Sequence, residues 1–106
     1  MNPHASHFTE RWRLAAAEWL DLQDAADFLE GSKNDVLAEI VSRSPGSSHA
    51  EKDRNARISD EWGEHRRKII EASAAARRAK LRVTYAKMQR EDHMNGEANR
   101  RAESRL

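Results

Sequence analysis

Apolar side chains recur along the first part of this chain at Phe8, Trp12, Ala15, Trp19, Leu22, Ala26 and Leu29, in alternating steps of four and three. That spacing follows one stripe of an α-helix and makes a seam for packing along a second helix. The register continues through Lys33 to Val36 and Ile40, and only Lys33 breaks it. Gly31-Ser32 offers an alternative stop, with Ser32 and Asp35 opening a second helix. Because the register survives the glycine, and a helical glycine costs only about 1 kcal/mol, the pattern predicts one helix over 7–43. Ser6 or Thr9 is the expected cap at its start.

The stretch from Ser42 to Ser48 reads as a turn fixed by Pro45-Gly46. Ser48-His49-Ala50-Glu51 has the capping-box pattern, so a short helix is expected after the turn. Residues 52–57 offer little to bury. Ser59 then opens a second long helix, with Asp60 and Glu61 in the first turn where the helix dipole favours negative charge. Asn95-Gly96 marks its expected end, and Glu97 to Leu106 suits a helical extension. The expected fold is all-α: a long antiparallel, coiled-coil-like helical hairpin. It forms a single domain over 1–106, with a long helix at 7–43, a turn and short helix at 44–58, a second long helix at 59–95 and an extension at 96–106.

The second long helix carries two apolar stripes. Trp62, Ile69, Ala72, Ala76, Ala79, Val83 and Ala86 form one. Ile70, Ala74, Leu81, Tyr85 and Met88 form another, well over a quarter-turn away at about 100° per residue. The first helix can cover only one of them. The second stripe is then either part of a broader hairpin face wrapped by the short helix at 48–57 or an interface for another molecule or another copy of the chain; a homo-oligomer is the expectation. Alanines at 72, 76 and 79 favour close helix approach.

Charged residues make up 35% of the chain against 38% hydrophobic, too polar a balance for a large globular core. The net charge of +1 conceals a split: the first 43 residues are acidic and the rest basic, which favours antiparallel pairing of the two helices. With no cysteine there is no disulfide frame and no thiolate metal site. No basic n-region precedes an apolar run at Met1 to His7, and no stretch approaches the roughly 20 apolar residues of a membrane span. A location in the bacterial cytoplasm is expected, with no membrane partner.

Five histidines show no metal-ligand spacing, the carboxylates fall on solvent faces, and no nucleophile motif or phosphate-cradling loop occurs. No catalytic residue, metal or cofactor is assigned, and the expected activity is binding rather than catalysis. Trp12, Trp19 and Trp62 fit the hairpin core by their spacing, and His65 fits the seam. The candidate nucleic-acid contacts are basic. Arg67, Arg78 and Arg82 share the face opposite the alanine stripe, and Arg66 and Arg77 lie 11 residues apart on another line. Tyr85 lies close to the row and could stack on a base. Alternatively these are charges on a solvated helix face that form salt bridges to the acidic first helix, with Glu64 pairing with Lys68 at i,i+4.

Ile58 to Trp62, Ala74 to Arg78, Lys80 to Tyr85 and Glu97 to Leu106 resemble small helical proteins of tailed bacteriophages and prophages found near recombination and replication genes. The layout is also distantly similar to the UvsY-type recombination mediators. That resemblance implies a helical, oligomeric protein that binds single-stranded DNA and helps load a recombinase. The other functional reading is a phage-encoded inhibitor of a host defence complex, anti-CRISPR-like, acting through protein contacts, with Asp21, Asp24, Asp27 and Glu30 occupying a nucleic-acid groove. A purely structural coiled-coil adaptor is the third.

Overall fold

The computed structural model describes residues 3–105, with side chains described from His7 onward. Four helices follow one another: α1 (Pro3–Gly31), α2 (Lys33–Arg43), α3 (His49–Arg57) and α4 (Asp60–Ser104). No strand occurs among the described residues, and the fold is the all-α hairpin with a short connecting helix that the periodicity predicts. No helix among them is long and apolar enough to cross a membrane.

Three boundaries differ from expectation. α1 begins at Pro3, ahead of Ser6 and Thr9, and proline suits a first helical position because its missing N–H has no helical partner there. The side chains of His4 and Ser6 lie outside the described ones. The helix expected over 7–43 is divided at Ser32, which keeps φ −88° and ψ −2°. Its N–H still bonds the Phe28 carbonyl at 3.0 Å, and Val36 N–H bonds the Ser32 carbonyl at 3.0 Å, so the ladder passes through the division. The Ser32 hydroxyl also donates to the Phe28 carbonyl, so that carbonyl accepts from both the N–H and the hydroxyl of Ser32. Finally, α4 runs through Asn95-Gly96 to Ser104 without stopping. One glycine, at about 1 kcal/mol, does not outweigh the helix formers around it.

The chain gathers into two compact units, Met1–Leu22 with Ala76–Leu106, and Gln23–Ala75. In the first unit α1 and α4 run antiparallel. Phe8 meets His93 at 4.9 Å between ring centroids, Arg90 lies 5.3 Å over the Trp12 ring, and Lys80 lies 5.6 Å over Trp19. Bulky aromatics on α1 are matched by small residues on α4, where Ala76, Ala79 and Ala86 are buried. The α4 seam does not end at Ala86. It continues at the same spacing through Arg90, His93 and Glu97, all half-buried. Cations over indole faces are held by the ring quadrupole, which gives a polar seam its attraction. Arg90 also donates to Thr9 Oγ1 at 2.9 Å, so Thr9 braces α4 instead of capping α1.

The second unit has its own core of Ile40, Val41, Ala56 and Trp62, with Val36 and Leu37 packed against it. Burying the Trp62 indole and its aliphatic neighbours stabilises by roughly 2–3 kcal/mol per large side chain. Around this core the predicted turn is tightly specified. Gly46 has φ +149°, and Asn55 donates from α3 to the Pro45 carbonyl at 2.7 Å. Ser48 caps α3 by accepting from Glu51 N–H at 3.2 Å. The Glu51 carboxylate reaches back to accept from the Ser47 N–H at 2.7 Å and the Ser47 hydroxyl at 2.8 Å, and these bonds hold its pKa below the ordinary glutamate value. The capping box thus forms with its glutamate extended one residue further than the pattern specifies. Ser59 accepts from Trp62 N–H at 3.2 Å and starts α4 as predicted. Arg43 binds both oxygens of Glu61, at 2.8 and 3.2 Å, joining the end of α2 to the start of α4.

Candidate nucleic-acid interface

The second stripe of α4 is open. Ile70 is 62% exposed, Leu81 70%, Tyr85 62% and Met88 55%. Ala74 departs from it, being half-buried. Ile70 and Ala74 belong to the second unit, and Leu81, Tyr85 and Met88 to the first.

The arginines divide into paired and open. Arg67 Nη2 lies 2.7 Å from both carboxylate oxygens of Glu64, and its Nε lies 3.9 Å from Glu71. Hydrogen bonding to Arg67 holds the Glu64 pKa down, and the same bond raises that of Arg67. Glu64 therefore pairs one residue earlier than Lys68, the partner its i,i+4 spacing suggested. Arg82 reaches across from α4 to Glu18 of α1 at 3.0 Å. Arg66, Arg77 and Arg78 are exposed, and none is in an ion pair among the described residues. Of the row Arg67, Arg78 and Arg82, only Arg78 is uncommitted.

Within the first unit, Arg78 and Arg82 of the row and the stripe residues share one surface. At about 100° per residue, Arg78, Leu81, Arg82, Tyr85 and Met88 fall within about a third of the circumference of α4, with Arg77 at its edge. On the α1 side this surface deepens into a groove of about 340 Å³, where Leu14, Arg11 and Glu18 face Arg82, Tyr85 and Gln89. Leu14 is 58% exposed and widens the apolar area. A mixed surface of this kind offers guanidinium groups to phosphates and a phenol ring to a base, both in solvent reach.

The remaining candidates take structural places. Trp62 is buried in the second core, while Trp12 and Trp19 are half-buried, each facing a cation. Tyr85 is thus the aromatic with an open face in the first unit. His65 is half-buried and stacks on Trp62 with ring centroids 5.8 Å apart, in the seam as predicted. His49 is exposed at the first position of α3. Among the described residues no three histidine, aspartate or glutamate side chains gather as metal ligands. Asp21, Asp24, Asp27 and Glu30 are all exposed, Asp27 accepting from Gln23 at 3.0 Å and Glu30 pairing with Lys33 at 3.0 Å.

Sequence reasoning missed Arg90, which braces Trp12 and Thr9; its seam spacing from Ala86 was the available signal. The Glu18–Arg82 pair is a bridge from the basic face to the acidic first helix, as the alternative reading of that face expects, though no local spacing announces the two partners. Comparison of the chain with protein-family models, curated proteins and solved structures gives no match.

Proposed function

We propose that the chain is a non-catalytic accessory protein of DNA recombination or replication, of the tailed-phage type, that binds single-stranded DNA on the Arg78–Met88 face of α4. The observation that supports this reading is Arg78, exposed and unpaired among the described residues, on the face that presents the 62% exposed Tyr85. Arg78 and Arg77 contact phosphates and release condensed counterions. Tyr85 stacks on a base, a contact worth about 1–3 kcal/mol. Arg82 joins by exchanging Glu18 for phosphate, because an exposed ion pair is worth only about 0–1 kcal/mol. Arg67 is held by two glutamates and Arg66 lies in the other unit, so both are secondary. With a net charge of +1, affinity is modest and falls with salt.

Self-association belongs to the same reading. Copies pair through the apolar band of Leu81 and Met88, which leaves Arg78, Arg82 and Tyr85 along its margin. Light scattering at micromolar concentration then gives a mass above the 12.2 kDa monomer, and Leu81→Glu returns it to the monomer.

Fluorescence anisotropy of a labelled oligothymidine at low salt tests the DNA contact. The wild-type chain binds, and Arg78→Glu or Tyr85→Ala weakens binding by about tenfold or more. No binding at low salt removes the DNA reading and leaves a protein partner, such as a host nucleic-acid-processing or defence complex, as the ligand of this face.

A further inference from the structure

Lys33 is the one cation in the seam register that starts at Phe8, and its place in the second unit gives that irregularity a use. It lines a groove of about 450 Å³ with Asn34 and Leu37 of α2, Arg57 of α3, and Trp62 and Arg66 of α4. Three cations from three helices thus converge on one concave surface. Lys33 is neutralised by Glu30 at 3.0 Å and Arg57 by Asp53 at 3.0 Å, both close neighbours in sequence. Arg66 has no ion pair among the described residues. The groove therefore keeps a net positive charge, with an ammonium, two guanidinium forks and the Asn34 amide as donors. Its walls are held by the packed core of Ile40, Val41, Ala56 and Trp62, so the donors are carried on rigid elements.

We propose that this groove binds a phosphate-class oxyanion, either free phosphate or the terminal phosphate of an ester. Guanidinium forks match such an anion in a bidentate manner, and charge-assisted bonds to it are shorter and stronger than neutral ones. A groove of this size falls within the roughly 300–1,000 Å³ of small-ligand sites, which leaves room for the organic part of a phosphate ester beside the anion. Leu37 and the edge of Trp62 supply the apolar floor for that part. The site is separate from the Arg78 face, and neither depends on the other.

The test uses the full chain and the indole N–H signals of its three tryptophans in proton–nitrogen correlation spectra. Inorganic phosphate and adenosine monophosphate are titrated separately at constant ionic strength, with chloride as the control. The Trp62 signal shifts saturably while those of Trp12 and Trp19 stay in place. Arg66→Glu weakens the response by about tenfold or more, as expected for loss of a charge-assisted contact, and Arg101→Glu, an equal change in net charge elsewhere, does not. Circular dichroism verifies that both variants remain helical, and Lys33→Gln serves as the second variant should Arg66→Glu unfold. Equal responses to the two ligands identify the free anion as sufficient, and a tighter response to the nucleotide identifies an ester. No shift of Trp62, a shift reproduced by chloride, or an undiminished response in both Arg66→Glu and Lys33→Gln overturns the proposal. Oligothymidine binding that survives Lys33→Gln but not Arg78→Glu keeps the two sites distinct.

Discussion

Glu18 of α1 and Arg82 of α4 are 64 residues apart in sequence, and their side chains meet at 3.0 Å across the first unit. Both side chains are about half exposed, so the pair fixes the register of the hairpin more than its stability. It also occupies an arginine on the proposed DNA face. Glu18→Gln should therefore change unfolding free energy by less than about 1 kcal/mol. The same variant should tighten oligothymidine binding several-fold by releasing Arg82. Urea denaturation and anisotropy measure the two effects separately.

The buried alanines of α4 set how closely the helices approach. Ala76 is 2% exposed and Ala79 1%, leaving no room for a larger side chain. Ala79→Leu should destabilise by about 1–3 kcal/mol through overpacking. Ala74→Leu, at a half-buried position on the open stripe, should fall within about 0.5 kcal/mol of wild type. The comparison of denaturation midpoints distinguishes the covered stripe from the open one.

Two glycines should respond in opposite directions. At Gly46, with φ +149°, an added Cβ would lie 2.9 Å from Glu51 Cβ and from Lys52 N, so Gly46→Ala strains both backbone and contact. A loss of about 1–3 kcal/mol is expected. Gly31 is helical, and a Cβ there meets nothing within 4 Å. Gly31→Ala should stabilise by about 0.5–1 kcal/mol.

Stability should fall at acid pH through Glu51. Hydrogen bonds from the Ser47 N–H and hydroxyl lower its pKa in the folded chain. A carboxyl depressed on folding stabilises above its unfolded value, about 4.3, and that contribution disappears as pH falls through the folded one. Glu61, held down by Arg43, acts in the same sense. Glu51→Gln should be less stable than wild type at neutral pH, and the gap should narrow as the pH is brought below the ordinary carboxylate range. Urea midpoints at neutral and acid pH give the result.

Much of this structure is legible in local patterns. The alternation from Phe8 to Leu29 gives the α1 seam, and Ser48 with Glu51 and Ser59 with Asp60 give two helix starts, because caps and seams are encoded within a few residues. The exposed Leu81, Tyr85 and Met88 follow from a second stripe that one neighbouring helix cannot cover. Features that depend on tertiary context were not legible. The apolar stripe of α4 stops at Ala86 because Arg90, His93 and Glu97 are polar, yet Arg90 and His93 pack against Trp12 and Phe8 of α1 and Glu97 is half-buried after them. The pairing of Arg82 with Glu18 needs the hairpin register, and the groove around Lys33 needs three helices in place. The division at Ser32, by contrast, falls at the Gly31-Ser32 stop that the sequence offers as the alternative to one continuous helix. The spacing that placed Arg67 on the basic row also placed Glu64 and Glu71 within its reach.

The salt dependence of oligothymidine binding tests the proposed function most directly. For single strands each neutralised phosphate contributes about −0.7 to the slope of log affinity against log salt. Contacts from Arg77, Arg78 and Arg82 predict a slope near −2 for the wild-type chain, and Arg78→Ala should reduce its magnitude by about 0.7. An affinity independent of salt, or a slope unchanged in Arg78→Ala, would contradict a DNA-binding role for this face of α4.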